Sequence, residues 1–182
     1  LRSFLEMHNN FFEEIETAVQ TFRKAFDLPA AESLSVAELQ RLLEEKFGYT
    51  IIPEGLSAYP ELKDIRSVFL PEKHELLLNG ALTDMQLAFQ LGKELGFEYL
   101  KLSERALTSS LLKINSFEEV LSHFKAGYFS AALLLDRQAI VEDLQWLFAQ
   151  KTWDDQRFQQ LLEKYQVTPE TLMQRMTNLL PE

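Results

Sequence analysis

The chain of 182 residues contains no cysteine. That excludes disulfides, thiolate zinc sites, cysteine-held iron–sulfur clusters and cysteine nucleophiles within this sequence. Long apolar runs are also missing. The longest, Ala131–Leu135, is far short of the roughly 18 residues needed to span a bilayer, so no membrane partner is expected. Positive charge is scarce: 18 basic residues face 28 acidic ones, for a formal charge of −10. Such a chain repels nucleic-acid phosphates, so any DNA contact is expected through another part of a larger protein. The three histidines, His8, His74 and His123, fall on separate predicted elements, which disfavours a three-histidine metal site. Neither a P-loop, a GxGxxG turn nor a Ser-His-Asp order is present in a supporting context.

What is abundant is phenylalanine, with 14 residues, in a chain long enough to bury a sizeable core. Phe4, Phe11, Phe12, Ile15, Val19, Phe22 and Phe26 recur at three- and four-residue steps. This spacing predicts one amphipathic helix of about six turns over Ser3–Phe26. Ser35-Val-Ala-Glu38 reads as a capping box that opens a second helix, which Gly48 ends after Phe47. Tyr49–Ile52, Asp64–Leu70 and His74–Leu78 read as three strands, the last two joined in a hairpin by Pro71-Glu-Lys. Further helices are expected over Ser116–Leu135, Arg137–Gln150, Asp154–Tyr165 and Thr168–Leu180, with Ser116-Phe-Glu-Glu119 as another capping box. The fold class is α+β: mostly helical, with a small antiparallel or mixed sheet packed on a central helix.

That central helix lies in Leu82–Leu102 and starts at the capping box Thr83-Asp-Met-Gln86. Its apolar positions Leu87, Ala88, Phe89, Leu91 and Leu95 mark burial on more than one side. Gly92 and Gly96 leave one stripe bare, open to close approach by a helix or a ligand. Within it, Phe89-Gln-Leu-Gly-Lys-Glu-Leu-Gly-Phe97 has the frame of a zinc-protease helix. In HExxH, two histidines four apart share a Zn²⁺ and the intervening Glu activates its water. Here Lys93 and Phe97 stand in the histidine positions, and only Glu94 remains.

Three segments in order carry a resemblance. Phe89–Gly96 resembles the "FxLAHELGH" helix of the ImmA/IrrE metallopeptidase-like family. Phe124-Lys-Ala-Gly-Tyr-Phe-Ser-Ala-Ala-Leu-Leu-Leu resembles its next helix, "ANxFAxxLLMP". Leu161–Leu180 is similar to its terminal helix pair. Phe4-Leu-Glu-Met-His-Asn-Asn-Phe-Phe and the strands resemble a bacterial branch, helix-turn-helix short-chain fatty acyl transcriptional regulators. The resemblance implies that residues 1–182 form one regulatory, ligand-sensing domain. A DNA-binding helix-turn-helix would precede Leu1, and the protein would be a cytoplasmic homodimer. Some members of that branch sense acyl-coenzyme A thioesters.

The departures bear on chemistry. A lysine introduces a cation where a zinc would sit, phenylalanine cannot coordinate, and His123 falls near the family's third ligand. Gly127 replaces the usual asparagine. A degenerate site implies no peptidase activity, no metal and no other cofactor. The candidate ligand-binding residues are therefore Lys93, Glu94, Phe97, His123, Lys125 and Tyr128, which could hold a carboxylate, phosphate or thioester oxygen of an acyl metabolite. An alternative pairing leaves Lys93 in solvent and joins Glu94 to Lys93 or Lys125. Among Phe89, Phe97, Tyr99, Phe124, Tyr128 and Phe129, core and acyl pocket are not separable by sequence. The terminal pair resembles a helix-turn-helix in outline, but Glu170, Gln174, Arg175 and Asn178 supply one cation, and packing is expected instead. A peptidase with an unorthodox metal site and a pocketless protein–protein interaction module are the rival readings.

Overall fold

The apolar spacing of the first 26 residues is helical, yet the computed structural model folds them as two helices. It describes residues 1–29, 32–108, 115–149, 152 and 154–180. Helix α1 covers Arg2–Met7 and α2 covers Glu13–Ala25. Between them Asn9 and Asn10 both adopt positive φ, 50° and 56°. Asparagine tolerates this left-handed geometry because its short amide bonds locally. The turn folds Phe4 back to stack on Phe12 at 5.9 Å between ring centroids, so the phenylalanine series is buried by a bend rather than by one continuous stripe.

Helix α3, Val36–Phe47, follows the expected signals. Both bonds of the Ser35/Glu38 box form, and Gly48 closes the helix at φ 70°, a left-handed position that costs other residues more. The strands β1 (Thr50–Ile52), β2 (Ser67–Leu70) and β3 (Glu75–Leu78) make a sheet in the order β1-β3-β2. β2 and β3 are the antiparallel hairpin, with Phe69 opposite Leu76 and Ser67 opposite Leu78. β1 lies parallel to β3, so the sheet is mixed. Alternation sends Ser67, Phe69, Leu76 and Leu78 to the buried face.

Helix α4, Asp84–Tyr99, starts at the complete Thr83/Gln86 box and is buried from Gln90 through Phe97. Helix α5, Phe117–Leu134, packs along its glycine stripe. A Cβ on Gly96 would stand 3.0 Å from both the Ala126 carbonyl oxygen and Phe129 Cβ, and one on Gly92 2.5 Å from Ser130 Oγ. The bare stripe is therefore filled by a helix. At the start of α5 only half of the expected capping box forms. Ser116 Oγ accepts from the Glu119 amide, but the Glu119 carboxylate accepts from the Asn115 amide at 3.1 Å, one residue early.

Helices α6 (Arg137–Phe148), α7 (Asp155–Tyr165) and α8 (Pro169–Leu179) complete the chain; the expected end at Gln150 lies outside the described residues. Asp136 and Asp154 cap α6 and α7, and Thr168 with Pro169 opens α8. Arg175 on α8 is fully buried and reaches Glu16 on α2, with Nη2 donating at 2.9 Å. Its Nε donates to the Leu135 carbonyl at the end of α5. Asn178 is buried as well and donates to the Asn10 carbonyl. These polar groups of α8 are consumed by packing and do not face a nucleic-acid groove. The architecture is α+β, predominantly helical, with a small mixed sheet.

Candidate functional site

One turn of α4 sets the geometry. Lys93 and Phe97 share a helix face, and Glu94 projects beside them toward the sheet. Lys93 is 5% exposed, yet among the described residues its Nζ meets no carboxylate at hydrogen-bond distance. It lies 2.7 Å from Nε2 of His123, which α5 presents across the helix pair. Burial pushes the Lys93 ammonium down to about 8; Glu94 raises it, while Arg105 and Arg66 lower it further. Burial, then Lys93 and Arg105, push His123 down to about 4. The imidazole is therefore neutral at pH 7 and Nε2 accepts from Lys93. Its proton sits on Nδ1, which is buried without a partner among the described residues.

Glu94 is held from the other side. Arg105 Nη2 donates to it at 2.7 Å, in a pair with only 10% and 5% of the side chains exposed. The Tyr49 hydroxyl lies 3.1 Å from Glu94 and 2.8 Å from Glu98. Burial and the Glu94 charge push the Tyr49 phenol above its usual range. The Arg105 guanidinium is sandwiched, 4.3 Å from the Phe69 ring centroid and 3.9 Å from that of Phe97. Burial lowers the Arg105 pKa, but the Glu94 charge, Tyr49 and their hydrogen bonds outweigh it and leave the pKa raised.

Of the sequence-predicted site residues, Lys93 and His123 meet directly. Phe97 packs under Arg105, with its ring 6.5 Å from that of His123. Glu94 pairs with neither Lys93 nor Lys125, as the alternative pairing supposed, but with Arg105. Lys125 is half-buried on α5 and makes no ion pair among the described residues. Tyr128 belongs to a different cluster: its hydroxyl donates to Glu16 at 2.7 Å and accepts from the Phe12 amide at 3.3 Å. Arg105 and Tyr49 were missed. Arg105 lies in an irregular stretch after α4 with no periodicity to mark it, and Tyr49 read simply as strand.

The donor set does not suit a catalytic zinc, which takes three protein ligands. Lys93 is a cation, Phe97 has no donor atom, and Glu94 is already bound to a guanidinium. No group of three His, Cys, Asp or Glu side chains converges elsewhere among the described residues.

Two clefts flank this turn. One, of about 320 Å³, is lined by Leu1, Phe89, Lys93, Val120, His123, Phe124, Gly127 and Gln174. The other, of about 450 Å³, lies toward the sheet and is lined by Phe69, Phe97, Lys101 and Arg105 among others. The larger is the weaker candidate, because Glu94 already neutralises Arg105 and its other cation, Lys101, is exposed to solvent. In the smaller, Lys93 keeps two ammonium hydrogens beyond the one given to His123.

The fold is shared with a known regulator. A solved structure of a Mycobacterium tuberculosis transcriptional regulator superposes with a TM-score of 0.74 at 20% identity, over 98% of this chain and 51% of that one. This chain thus spans about half the length of that regulator. At this identity the likeness concerns the fold. No protein-family profile and no curated protein sequence matches the chain.

Proposed function

We propose that this chain is the ligand-sensing domain of a bacterial transcriptional regulator, and that the α4–α5 cleft binds a short-chain acyl thioester or a related acyl metabolite. The observation that carries the reading is Lys93: a buried cation whose direct hydrogen-bond partner is a neutral imidazole, on the wall of a mostly apolar cleft. Such a cation favours a ligand carbonyl, carboxylate or phosphate oxygen, while Phe89, Val120 and Phe124 suit an alkyl chain. A volume of about 320 Å³ takes a short acyl group and leaves a bulky carrier outside. The fold likeness supports a regulatory role, and its extent suits one domain of a longer protein. Peptide hydrolysis has no support in the donor set, because the carboxylate that would activate water is tied to Arg105.

In this reading the DNA-binding part lies outside the chain, and the protein works in the cytoplasm as a homodimer. The ligand acts by its different affinity for two conformations, which changes the spacing of the paired DNA-binding domains. Calorimetric titration with a panel of acyl-coenzyme A thioesters tests the proposal. Saturable binding that Lys93→Met abolishes is the expected result. Absence of heat at millimolar ligand defeats it.

A further inference from the structure

Resting on the reading of the cleft as an acyl-thioester site, we propose that Lys93 is itself a covalent acyl acceptor, so that the cleft is a modification site as well as a binding site. The geometry is that of an activated amine. Lys93 Nζ is buried, meets His123 Nε2 at 2.7 Å and lines the cleft that the acyl chain would enter. Among the described residues no carboxylate bonds to Lys93 to lock it as an ammonium: Glu94, its sequence neighbour, turns to Arg105. The charged groups acting on Lys93 are Glu94, Arg105 and Arg66, and the two arginines together with burial favour the neutral amine. An amine desolvated in an apolar pocket near other cations is the ordinary way in which proteins make lysine nucleophilic at neutral pH.

The step balances without a further reactant. The Lys93 nitrogen attacks the thioester carbonyl carbon, a C–N bond forms and the C–S bond breaks. His123 Nε2 takes the proton shed by the amine and passes it to the departing thiolate. The products are an Nζ-acyl lysine and a free thiol. The reaction is stoichiometric, because the amide has no built route back. It turns an amine that can carry a buried positive charge into a neutral amide with a single N–H and leaves an acyl group in the cleft, so the modified chain differs from the free one even after the thiol has gone.

Incubation of the chain with acetyl-coenzyme A, and in parallel with S-acetyl-N-acetylcysteamine, followed by intact mass measurement and peptide mapping, tests this. Binding of the coenzyme is read separately by calorimetry with a thioether analogue that cannot transfer its acyl group. The expected result is one acyl group per chain, on Lys93, formed at a rate that rises with pH and levels above about pH 8. Lys93→Arg should lose the adduct. His123→Gln should keep Lys93 as the site but slow the reaction at least about tenfold on the lower side of that profile. An analogue that binds while both thioesters leave Lys93 unmodified overturns the acyl-acceptor proposal and leaves the sensing role standing. A Lys93 adduct from the small thioester, without binding of the analogue, supports the nucleophile and counts against coenzyme sensing. Labelling of the exposed Lys24 and Lys46 as fast as Lys93 also overturns the proposal.

Discussion

Glu94 is the one group in the protease-like frame that could activate water, and its surroundings do not leave it free to do so. A carboxylate that activates water must be free to take a proton, whereas this one is fixed by Arg105 and lies beside the Tyr49 hydroxyl. Removing one member of a buried pair leaves the other charged and unpaired. Arg105→Met is expected to lower stability by about 3–5 kcal/mol, and Glu94→Gln added to it should restore part of the loss. Urea denaturation of the single and the double variant against the parent chain measures both steps. His123 gives a second prediction. Its folded value of about 4 lies below its ordinary 6.5, so the unfolded chain binds the extra proton first. Its share of stability is complete above about pH 6.5 and is lost as pH falls toward 4. Thermal melting at stepped pH should show this slope, and His123→Gln should flatten it. None of Arg105's involvement is legible in sequence. It stands eleven positions after Glu94 in irregular chain, and only the path of residues 100–108 returns it to α4.

At the scale of elements, the contact between α4 and α5 is what brings Lys93 to His123, and small residues set its closeness. A methyl group on Gly96 would meet the Ala126 carbonyl oxygen and Phe129 Cβ at 3.0 Å, and the two helices would have to part. Gly96→Ala is expected to cost about 1–3 kcal/mol and to weaken ligand binding as well. Gly127, on the cleft side of α5, is different: a Cβ there has Phe89 Cζ as its nearest neighbour, at an ordinary 3.9 Å. Gly127→Ala should stabilise by about 0.5–1 kcal/mol through helix propensity. Calorimetric melting of both variants separates close packing from mere absence of a side chain. A result in which both alanines behave alike is incompatible with this account. The capping boxes at Ser35 and Thr83 were readable because their partners are three residues apart. The break at Asn9-Asn10 was not, because apolar spacing on the two sides continues as if the chain were straight.

For the whole molecule, the buried node of Glu16, Tyr128 and Arg175 joins the first long helix to α5 and to the last helix. Separations of 112 and 159 residues make it a closure between the ends of the chain. Arg175→Met should therefore destabilise by about 3–5 kcal/mol, with Glu16 left buried and uncompensated. Hydrogen exchange should show α2 and α8 losing protection together. Loosening confined to α8 would show that the node does not couple them.

The sequence by itself determined the element types, the capping boxes at Ser35 and Thr83, the hairpin, the α+β class and the absence of zinc-type donors at 93 and 97. Each of these depends on residues within a few positions of one another or on side-chain chemistry that no fold can alter. Only the tertiary structure decided that Glu94 is held by Arg105, that Lys93 is left with His123, and that Tyr128 serves the closure rather than the cleft. Those outcomes depend on which distant side chains share a small volume after burial, and burial also sets whether an amine or an imidazole carries its charge.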